Sequence, residues 1–316
     1  MIEKAIIHIG FCFDKGYLPP FYVLLTSIFH HNGSHAIVIH AIAPEVPKHE
    51  KDRLTAYVEK KGCQILFYEI SEKIFQGLDM PVSGYITIAA YYRLFFDKVV
   101  PFYVKKIIYI DIDTLIIGDL LPLYNTDIGV HPVAAVSDDW MPIRPDLGIT
   151  REGEYFNSGV LLIDTVKWKE RKVVESAVEA IRNNTKDFFR CHDQDVLNMI
   201  FAGNWYKLNV GCNLTGVHCP NTHERKALDK FLSDKTIIHF SGEKPWNFLT
   251  TCTHVYRYKW FEYYEIAPVQ SIIKYFDVTF SRCFFKRLVH KILFDFYLNT
   301  PMLGKIKRAV MPNNAL

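Results

Sequence analysis

The sequence lacks the features that mark several common classes of protein. No apolar run approaches the roughly 20 residues that span a bilayer as a helix, and no segment rich in Gly, Ser or Pro resembles a linker between domains. The seven cysteines have neither C-x-x-C nor zinc-finger spacing, which favours buried thiols in a reducing compartment. The net charge of +3 provides no strong field that would attract nucleic acid. We therefore expect a cytoplasmic globular protein that binds no nucleic acid.

The chain has enough apolar residues to form one large hydrophobic core. The chain has 316 residues, of which 49% are hydrophobic and 15% aromatic. Its amino terminus enters a strand-like run directly, without the pattern of a signal peptide. We expect one main domain over residues 1–265 and a helical appendage over residues 266–316.

Apolar strand candidates alternate with helical patterns along the main domain. We expect strands at residues 5–13, 35–43, 63–70, 105–110, 133–136 and 159–163, and helices at residues 18–31, 47–61, 87–99, 120–124, 166–183 and 195–202. Such alternation is typical of βαβ units. The sequence therefore predicts an α/β fold with a parallel sheet flanked by helices.

The most informative segment is residues 105–113, an apolar, β-branched run that ends in Asp111 and Asp113. Side chains two apart in a strand point to one face, and the carboxyl ends of parallel strands form the crevice where α/β proteins bind ligands. Two carboxylates there would hold a divalent cation, which would in turn hold phosphate oxygens. The bare pattern is not specific, because Asp193 and Asp195 repeat it.

Four further polar clusters border apolar segments, at residues 11–17, 155–164, 192–198 and 237–246. Each has a simpler explanation when taken alone. Asp14 suits an ordinary turn, Asn157 the start of a buried strand, and His239 a hydrogen-bonded core histidine. Asp193 suits the N-cap of a helix, and we attribute Asp195 to capping as well.

Taken together and in this order, the five segments resemble glycosyltransferase family 8. These are retaining enzymes that include bacterial lipopolysaccharide galactosyl- and glucosyltransferases and glycogenin. The resemblance covers about residues 5–250. Its motifs are Phe-x-x-Asp-x-x-Tyr from Phe11, Tyr-x-Asp-x-Asp from Tyr109, Phe-Asn-Ser-Gly-Val from Phe156, Asp-Gln-Asp-x-Leu-Asn from Asp193 and His-Phe-x-Gly-x-Lys-Pro-Trp from His239.

The resemblance implies a GT-A fold, which is Rossmann-like with a mixed, mostly parallel sheet. It also implies retaining transfer of a hexose from UDP-glucose or UDP-galactose to a glycan acceptor, in lipopolysaccharide or other cell-surface polysaccharide synthesis. The expected cofactor is Mn²⁺, since a mixed carboxylate–imidazole set suits it better than Mg²⁺, the alternative ion. The implied metal ligands are Asp111, Asp113 and His239, and the implied nucleotide-binding residues are Asp14, Tyr17, Ile112, Gly242 and Lys244. The implied donor-sugar residues are Arg93, Asn157, Asp193 and Gln194, of which Asp193 and Gln194 are also catalytic. The resemblance places Asp138 near the acceptor.

Two departures from the family pattern affect these expectations. Gly16 lacks the side chain that commonly touches the ribose, and Ala90 replaces a hydroxyl-bearing residue. Retention could arise by double displacement or by front-face attack. Since the amide of Gln194 is a poor nucleophile compared with a carboxylate, we favour front-face attack, with the leaving phosphate accepting the proton of the acceptor hydroxyl.

Two other functions remain open at the level of sequence. A metal-dependent nucleotidyltransferase also places paired aspartates at a sheet edge, and its release of pyrophosphate would distinguish it. A non-catalytic module that binds nucleotide sugars at a membrane would show no turnover of a UDP-sugar.

The carboxyl-terminal segment, residues 281–316, differs in composition from the rest. It holds four Lys, three Arg and one His but a single acid, Asp295, and these are interleaved with aromatic and aliphatic residues. Such a segment suits a helix that lies on an anionic membrane. The alternative is a helix packed on the main domain with its basic face in solvent. We predict peripheral attachment to the inner face of the cell membrane.

Overall fold

A computed structural model describes residues 6–71, 73, 76, 80, 88–222, 224–242, 244–246 and 254–269 of the protein. The strands are β1 (Ile6–Cys12), β2 (Ala36–Ile42), β3 (Gln64–Tyr68), β4 (Lys106–Ile110), β5 (Thr114–Ile116), β6 (Val133–Ser137), β7 (Phe156–Asp164), β8 (Tyr206–Lys207) and β9 (Ile237–His239). The α-helices are α1 (Leu18–Asn32), α2 (Lys48–Glu59), α3 (Phe96–Val99), α4 (Leu121–Tyr124), α5 (Thr165–Glu170), α6 (Val173–Asn183), α7 (His192–Ile200), α8 (Arg225–Phe231) and α9 (Arg257–Tyr264). The expected α/β class is confirmed.

Seven strands form one sheet in the order β3-β2-β1-β4-β7-β6-β8. The pairs β2–β3, β1–β2, β1–β4 and β6–β8 are parallel, whereas β7 runs antiparallel to both β4 and β6. The amino end of β7 therefore lies beside the carboxyl end of β4. This mixed arrangement brings the Phe-Asn-Ser-Gly segment of β7 to the edge where β1 and β4 end.

The main sheet is buried on both faces, which explains why its strands read as continuous apolar runs. Alternate residues of β4 point to opposite sides: Ile108 and Ile110 join the cluster formed with α1 and α2, whereas Ile107 and Tyr109 join the cluster formed with α3, α5, α6 and α7. Leu161 and Leu162 of β7 divide in the same way. The core is therefore two apolar layers separated by the sheet.

A second, two-stranded sheet forms from β5 and β9, which lie more than 100 residues apart in the chain. The two strands pair antiparallel, with Thr114 opposite His239. The backbone N–H of Phe240 also donates to the carbonyl of Asp113 at 2.9 Å. This pairing carries the late histidine to the turn that follows β4.

Three expectations about local structure are wrong. Residues 88–95 form a 3₁₀ helix that leads into the short α3, so the expected helix over 87–99 is only partly α-helical. The predicted helix over 166–183 is broken into α5 and α6. Asp111 and Asp113 lie in a tight turn, where Thr114 Oγ1 donates to the Asp111 carbonyl at 2.8 Å, rather than on one face of a strand.

Within the described residues, no helix is both long enough and apolar enough to cross a membrane. The predicted basic tail, residues 281–316, and most of the appendage expected over 266–316 lie outside the described part of the chain.

The break between α5 and α6 lies at Lys172, whose backbone adopts the left-handed conformation with φ 49° and ψ 48°. This conformation costs a non-glycine residue about 1 kcal/mol. We therefore expect Lys172→Gly to raise the free energy of unfolding by up to about 1 kcal/mol, as measured by urea denaturation. Arg171→Gly is the matched control, since Arg171 is right-handed with φ −74° and glycine there should lower stability by about 0.5–1 kcal/mol. Equal effects of the two changes would contradict this account.

Candidate active site

A cavity of about 870 Å³ opens where β1 and β4 end and β7 begins. All thirteen site residues expected from the sequence line it. They are Asp14, Tyr17, Arg93, Asp111, Ile112, Asp113, Asp138, Asn157, Asp193, Gln194, His239, Gly242 and Lys244. The fold therefore brings together residues spread over more than 200 positions in the chain.

Asp111, Asp113 and His239 form a group that could hold a metal ion. One donor atom of each lies within 4.8 Å of the other two. The group is held by backbone contacts, because Asp111 N–H donates to the Gly159 carbonyl at 2.7 Å while the β5–β9 pairing places His239 beside Asp113. Two carboxylates and one imidazole are a donor set suited to a divalent transition metal such as Mn²⁺.

The orientation of His239 follows from a chain of hydrogen bonds that starts at the backbone. Gly159 N–H donates to Asn157 Oδ1 at 3.0 Å, so the Asn157 amide is fixed. Asn213 Nδ2 donates to the same oxygen at 2.8 Å, which turns Asn213 Oδ1 toward His239 Nδ1 at 2.9 Å. His239 Nδ1 must therefore carry a proton, and Nε2 is the atom that faces Asp113 Oδ1 at 3.4 Å. This is the arrangement by which buried partners commonly orient a metal-binding histidine.

Asp113 pairs with Lys244 and lies beside the imidazole of His239. The ammonium of Lys244 donates to Asp113 Oδ2 and to the Phe240 carbonyl, the latter at 3.2 Å. Burial alone would raise the pKa of Asp113, but the charges of Lys244 and His239 hold that pKa well below its ordinary value. Asp113 is therefore a carboxylate at physiological pH.

Arg93 is a buried cation that connects the metal group to the neighbouring sugar-site candidates. Its Nη2 lies 3.0 Å from Asp111 Oδ1 and its Nε lies 3.0 Å from Asp193 Oδ2, in two ion pairs. Nη1 donates to the Ser158 carbonyl at 2.7 Å. Burial raises the pKa of Asp193 to about 6, and the charge of Arg93 opposes this rise. Arg93 thereby offsets part of the repulsion between the half-buried Asp111 and the buried Asp193.

The amide of Gln194 lies between Ser158 and Asp138. Its Oε1 accepts from Ser158 N–H at 3.0 Å, and its Nε2 donates to Asp138 Oδ2 at 3.2 Å. Asn157 Nδ2 donates to the same Asp138 oxygen at 3.2 Å. The residues expected at the sugar and at the acceptor thus form one connected polar wall.

The cavity is also lined by the residues expected at the nucleotide. Asp14 begins a short 3₁₀ turn and accepts from Gly16 N–H at 2.7 Å. The ring of Tyr17 lies 6.2 Å from that of Trp246, nearly perpendicular to it. Gly242 has φ 88°, a conformation that favours glycine.

The simpler explanation of Asp193, as the N-cap of a helix, does not hold. The N-cap of α7 is Cys191 rather than Asp193, because Asp193 turns inward to Arg93. Asp195 is fully buried and accepts from Cys191 N–H at 3.0 Å, as capping requires, but it also pairs with Arg144 at 3.1 Å.

Sequence reasoning missed four residues that organise the site. Asn213 orients His239, and the Tyr109 hydroxyl donates to Asp111 Oδ1. Tyr155 and Arg144 surround Asp195. Tyr109 stands two residues before Asp111. If β4 had continued through Asp111 as a strand, this spacing would have indicated that the two side chains share a face. Asn213, a polar residue between Cys212 and Leu214, carries no such signal.

Comparison with known proteins identifies the family. Residues 8–250 match the model of glycosyl transferase family 8, which is more than half of the chain. The chain belongs to this family. Its similarity to the crystal structure of galactosyltransferase LgtC, determined with donor and acceptor sugar analogues, has a TM-score of 0.71 at 24% identity and covers 84% of this chain and 98% of that one. The fold is accordingly the GT-A fold of family 8.

Two similar proteins match most of the chain. General stress protein A of Bacillus subtilis (strain 168) is 32% identical over 286 residues, which cover 86% of this chain and 98% of that protein. Lipopolysaccharide 1,2-glucosyltransferase of Escherichia coli (strain K12) is 26% identical and covers 84% of this chain and 78% of that protein. Membership of family 8 makes the protein a sugar-transferring enzyme.

Gly159 leaves the space that the metal group occupies. A Cβ at this position would lie 2.2 Å from His239 Cε1 and 3.0 Å from Asp111 Oδ2. We expect Gly159→Ala to displace these side chains and weaken Mn²⁺ binding by about 10–100-fold, the range seen when the support of a metal ligand is lost. Isothermal titration calorimetry in the presence of UDP would measure this.

Gly216→Ala is the matched control for that change. Gly216 also lines the cavity, but a Cβ there would meet its nearest atom, His254 Cδ2, at an ordinary 3.6 Å. Circular dichroism would show whether both variants keep the fold. Unchanged Mn²⁺ affinity in a folded Gly159→Ala protein would contradict the assigned metal group.

Proposed function

We propose that this enzyme moves a hexose, glucose or galactose, from a UDP-sugar to a glycan acceptor with retention of anomeric configuration. The acceptor is a lipid-linked or soluble glycan in the synthesis of lipopolysaccharide or another cell-surface polysaccharide. The similarity to a lipopolysaccharide 1,2-glucosyltransferase supports the choice of sugar and pathway.

One observation carries the proposal: the Asp111, Asp113 and His239 group shares a cavity with the Gln194 amide. The donor set fits Mn²⁺, with Mg²⁺ as the alternative ion. A bound divalent ion would supply positive charge that stabilises the diphosphate of the departing UDP. We assign Lys244 and the backbone at Gly242 to the same diphosphate.

The nucleotide and the sugar occupy opposite ends of the cavity in this proposal. Tyr17 stacks on the uracil, Asp14 accepts a hydrogen bond from it, and the backbone of Ile112 contacts the nucleotide. Arg93, Asn157, Asp193 and Gln194 bind the donor sugar. Support comes from the continuous polar wall that these last four residues form with Ser158 and Asp138.

The contacts around Gln194 favour front-face attack over double displacement. The three neighbouring carboxylates are all engaged: Asp193 pairs with Arg93, Asp195 pairs with Arg144, and Asp138 accepts from the amides of Gln194 and Asn157. The amide itself is a poor nucleophile. The leaving phosphate oxygen then takes the proton of the acceptor hydroxyl as the new glycosidic bond forms on the same face.

We place the acceptor beside Asp138. Trp140 and Val217 line the cavity nearby and are 77% and 47% exposed. Exposed apolar surfaces of this kind suit the apolar face of a sugar ring.

The function is tested by incubating the full-length protein with a panel of UDP-sugars, Mn²⁺ and either lipid-linked or soluble glycans. We expect release of UDP with UDP-glucose or UDP-galactose, and NMR of the first product should show the anomeric configuration of the donor. Release of pyrophosphate would instead indicate a nucleotidyltransferase. No turnover of any UDP-sugar would indicate a binding module.

Asp113→Asn provides the matched inactive variant, since it keeps the shape of the side chain and removes its charge. Mn²⁺-dependent binding of UDP, measured by calorimetry, should weaken by at least about tenfold, and turnover should fall below detection. Asp234→Asn, at an exposed position, should change neither quantity. Unchanged Mn²⁺–UDP affinity in Asp113→Asn would remove Asp113 from the metal site.

We further propose that the enzyme works in the cytoplasm at an anionic membrane, held by its basic tail. Each Lys or Arg close to such a surface contributes on the order of 1 kcal/mol. The tail, residues 281–316, has seven of them against one acid. These residues lie outside the described structure, so composition alone supports this part of the proposal.

Truncation after Phe280 should leave hydrolysis of the UDP-sugar intact but reduce co-sedimentation with anionic vesicles and transfer to lipid-borne acceptors. High salt should weaken vesicle binding of the full-length protein, because it screens the attraction. Full-length protein with Lys60→Gln and Lys61→Gln, two exposed changes on the main domain, should bind vesicles normally. Equal vesicle binding by the truncated and full-length proteins would favour a tail packed on the domain.

A further inference from the structure

A chain of hydrogen bonds runs from the buried Arg144 to the Gln194 amide at the wall of the cavity. Arg144 Nη1 lies 3.1 Å from Asp195 Oδ2. The Tyr155 hydroxyl donates to Asp195 Oδ1 at 2.6 Å, and Gln194 Nε2 donates to the Tyr155 hydroxyl oxygen at 3.2 Å. Asp195 is fully buried, and Tyr155 and Arg144 are 2% and 4% exposed. Of these four residues, only Gln194 lines the cavity.

The direction of each hydrogen bond in this chain is determined. Burial raises the pKa of Tyr155, so its hydroxyl stays protonated. That hydroxyl has a single proton, which it donates in a hydrogen bond to the charged Asp195, its shortest contact. The oxygen of Tyr155 can therefore only accept from Gln194.

The same directions exclude a flipped Gln194 amide. A flip would turn Nε2 toward Ser158 N–H, which is itself a donor. It would also turn Oε1 toward the Tyr155 oxygen and the Asp138 carboxylate, which are both acceptors. Three favourable contacts would become repulsive, and buried polar groups without partners are costly. Gln194 is thus held in one orientation.

We propose that Tyr155 is a positioning residue for Gln194. The Tyr155 hydroxyl donates to Asp195, and the Tyr155 oxygen accepts a hydrogen bond from the Gln194 amide. Asp195 and Arg144 act through Tyr155 and touch no substrate. The inference rests on the proposed function, in which Gln194 contacts the donor sugar.

A double-mutant cycle tests this role by measuring hydrolysis of the UDP-sugar by the full-length protein. Tyr155→Phe should lower kcat about fivefold, the loss expected for one hydrogen bond of about 1 kcal/mol, and should leave KM within about twofold. In a Gln194→Ala background the same change should alter kcat less than twofold, since nothing remains to be positioned. A tyrosine that only stabilises the fold would lower kcat by the same factor in both backgrounds.

Tyr256→Phe is the matched control. Tyr256 is also fully buried, and its hydroxyl donates to the Leu228 carbonyl at 3.3 Å in a separate apolar cluster. Thermal unfolding should show comparable losses of stability for Tyr155→Phe and Tyr256→Phe, whereas kcat should fall only for the first. A fall in kcat for both would attribute the effect to stability and overturn the positioning role.

The remaining outcomes separate this inference from the proposed function. If the native protein hydrolyses UDP-sugars but the losses from Tyr155→Phe and Gln194→Ala multiply, the positioning role is overturned and the function stands. An unchanged kcat in Gln194→Ala would likewise overturn it. If the native protein turns over no UDP-sugar, the proposed function falls and this inference falls with it.

Discussion

The antiparallel pairing of β5 with β9 is the constraint on which the site depends. It joins the turn that carries Asp111 and Asp113 to a segment more than 100 residues later and sets His239 beside them. On the other side, the hydrogen bond from Asp111 N–H to the Gly159 carbonyl ties the same turn to the start of β7. The main sheet and the β5–β9 sheet therefore meet at Asp111, Asp113 and His239. Neither sheet alone would bring these three side chains together.

Charge balance follows from this geometry. Asp111, Asp113 and Asp193 are brought into one cavity, and carboxylates taken out of water require nearby cations. Arg93 pairs with two of them and Lys244 with the third. The three carboxylates outnumber these two cations, which leaves net negative charge that a divalent ion would neutralise.

Hydrogen bonds from residues behind the cavity orient the polar side chains that line it. His239 obtains its orientation from Asn213 and Asn157, and Gln194 obtains its orientation from Tyr155 and Ser158. In both chains the first hydrogen bond comes from a backbone N–H whose direction is set by β7, namely that of Gly159 or Ser158. One strand thus aligns the metal group and the Gln194 amide together.

The amino-acid sequence by itself determined the six strands of five or more residues and the helices α1, α2, α4 and α7, because apolar runs and their periodicity depend on local spacing alone. The short strands β5 and β8 and the helices α8 and α9 were not expected. The resemblance to family 8 also identified thirteen of the residues that line the cavity. Only the tertiary structure decided the 3₁₀ geometry of residues 88–95, the break at Lys172 and the inward turn of Asp193, since each depends on packing against distant elements. The same holds for Asn213 and Tyr155, which act through hydrogen bonds to residues 26 and 39 positions away. Spacing along a chain records which faces are apolar, but the direction of a buried hydrogen bond exists only once both partners are in place.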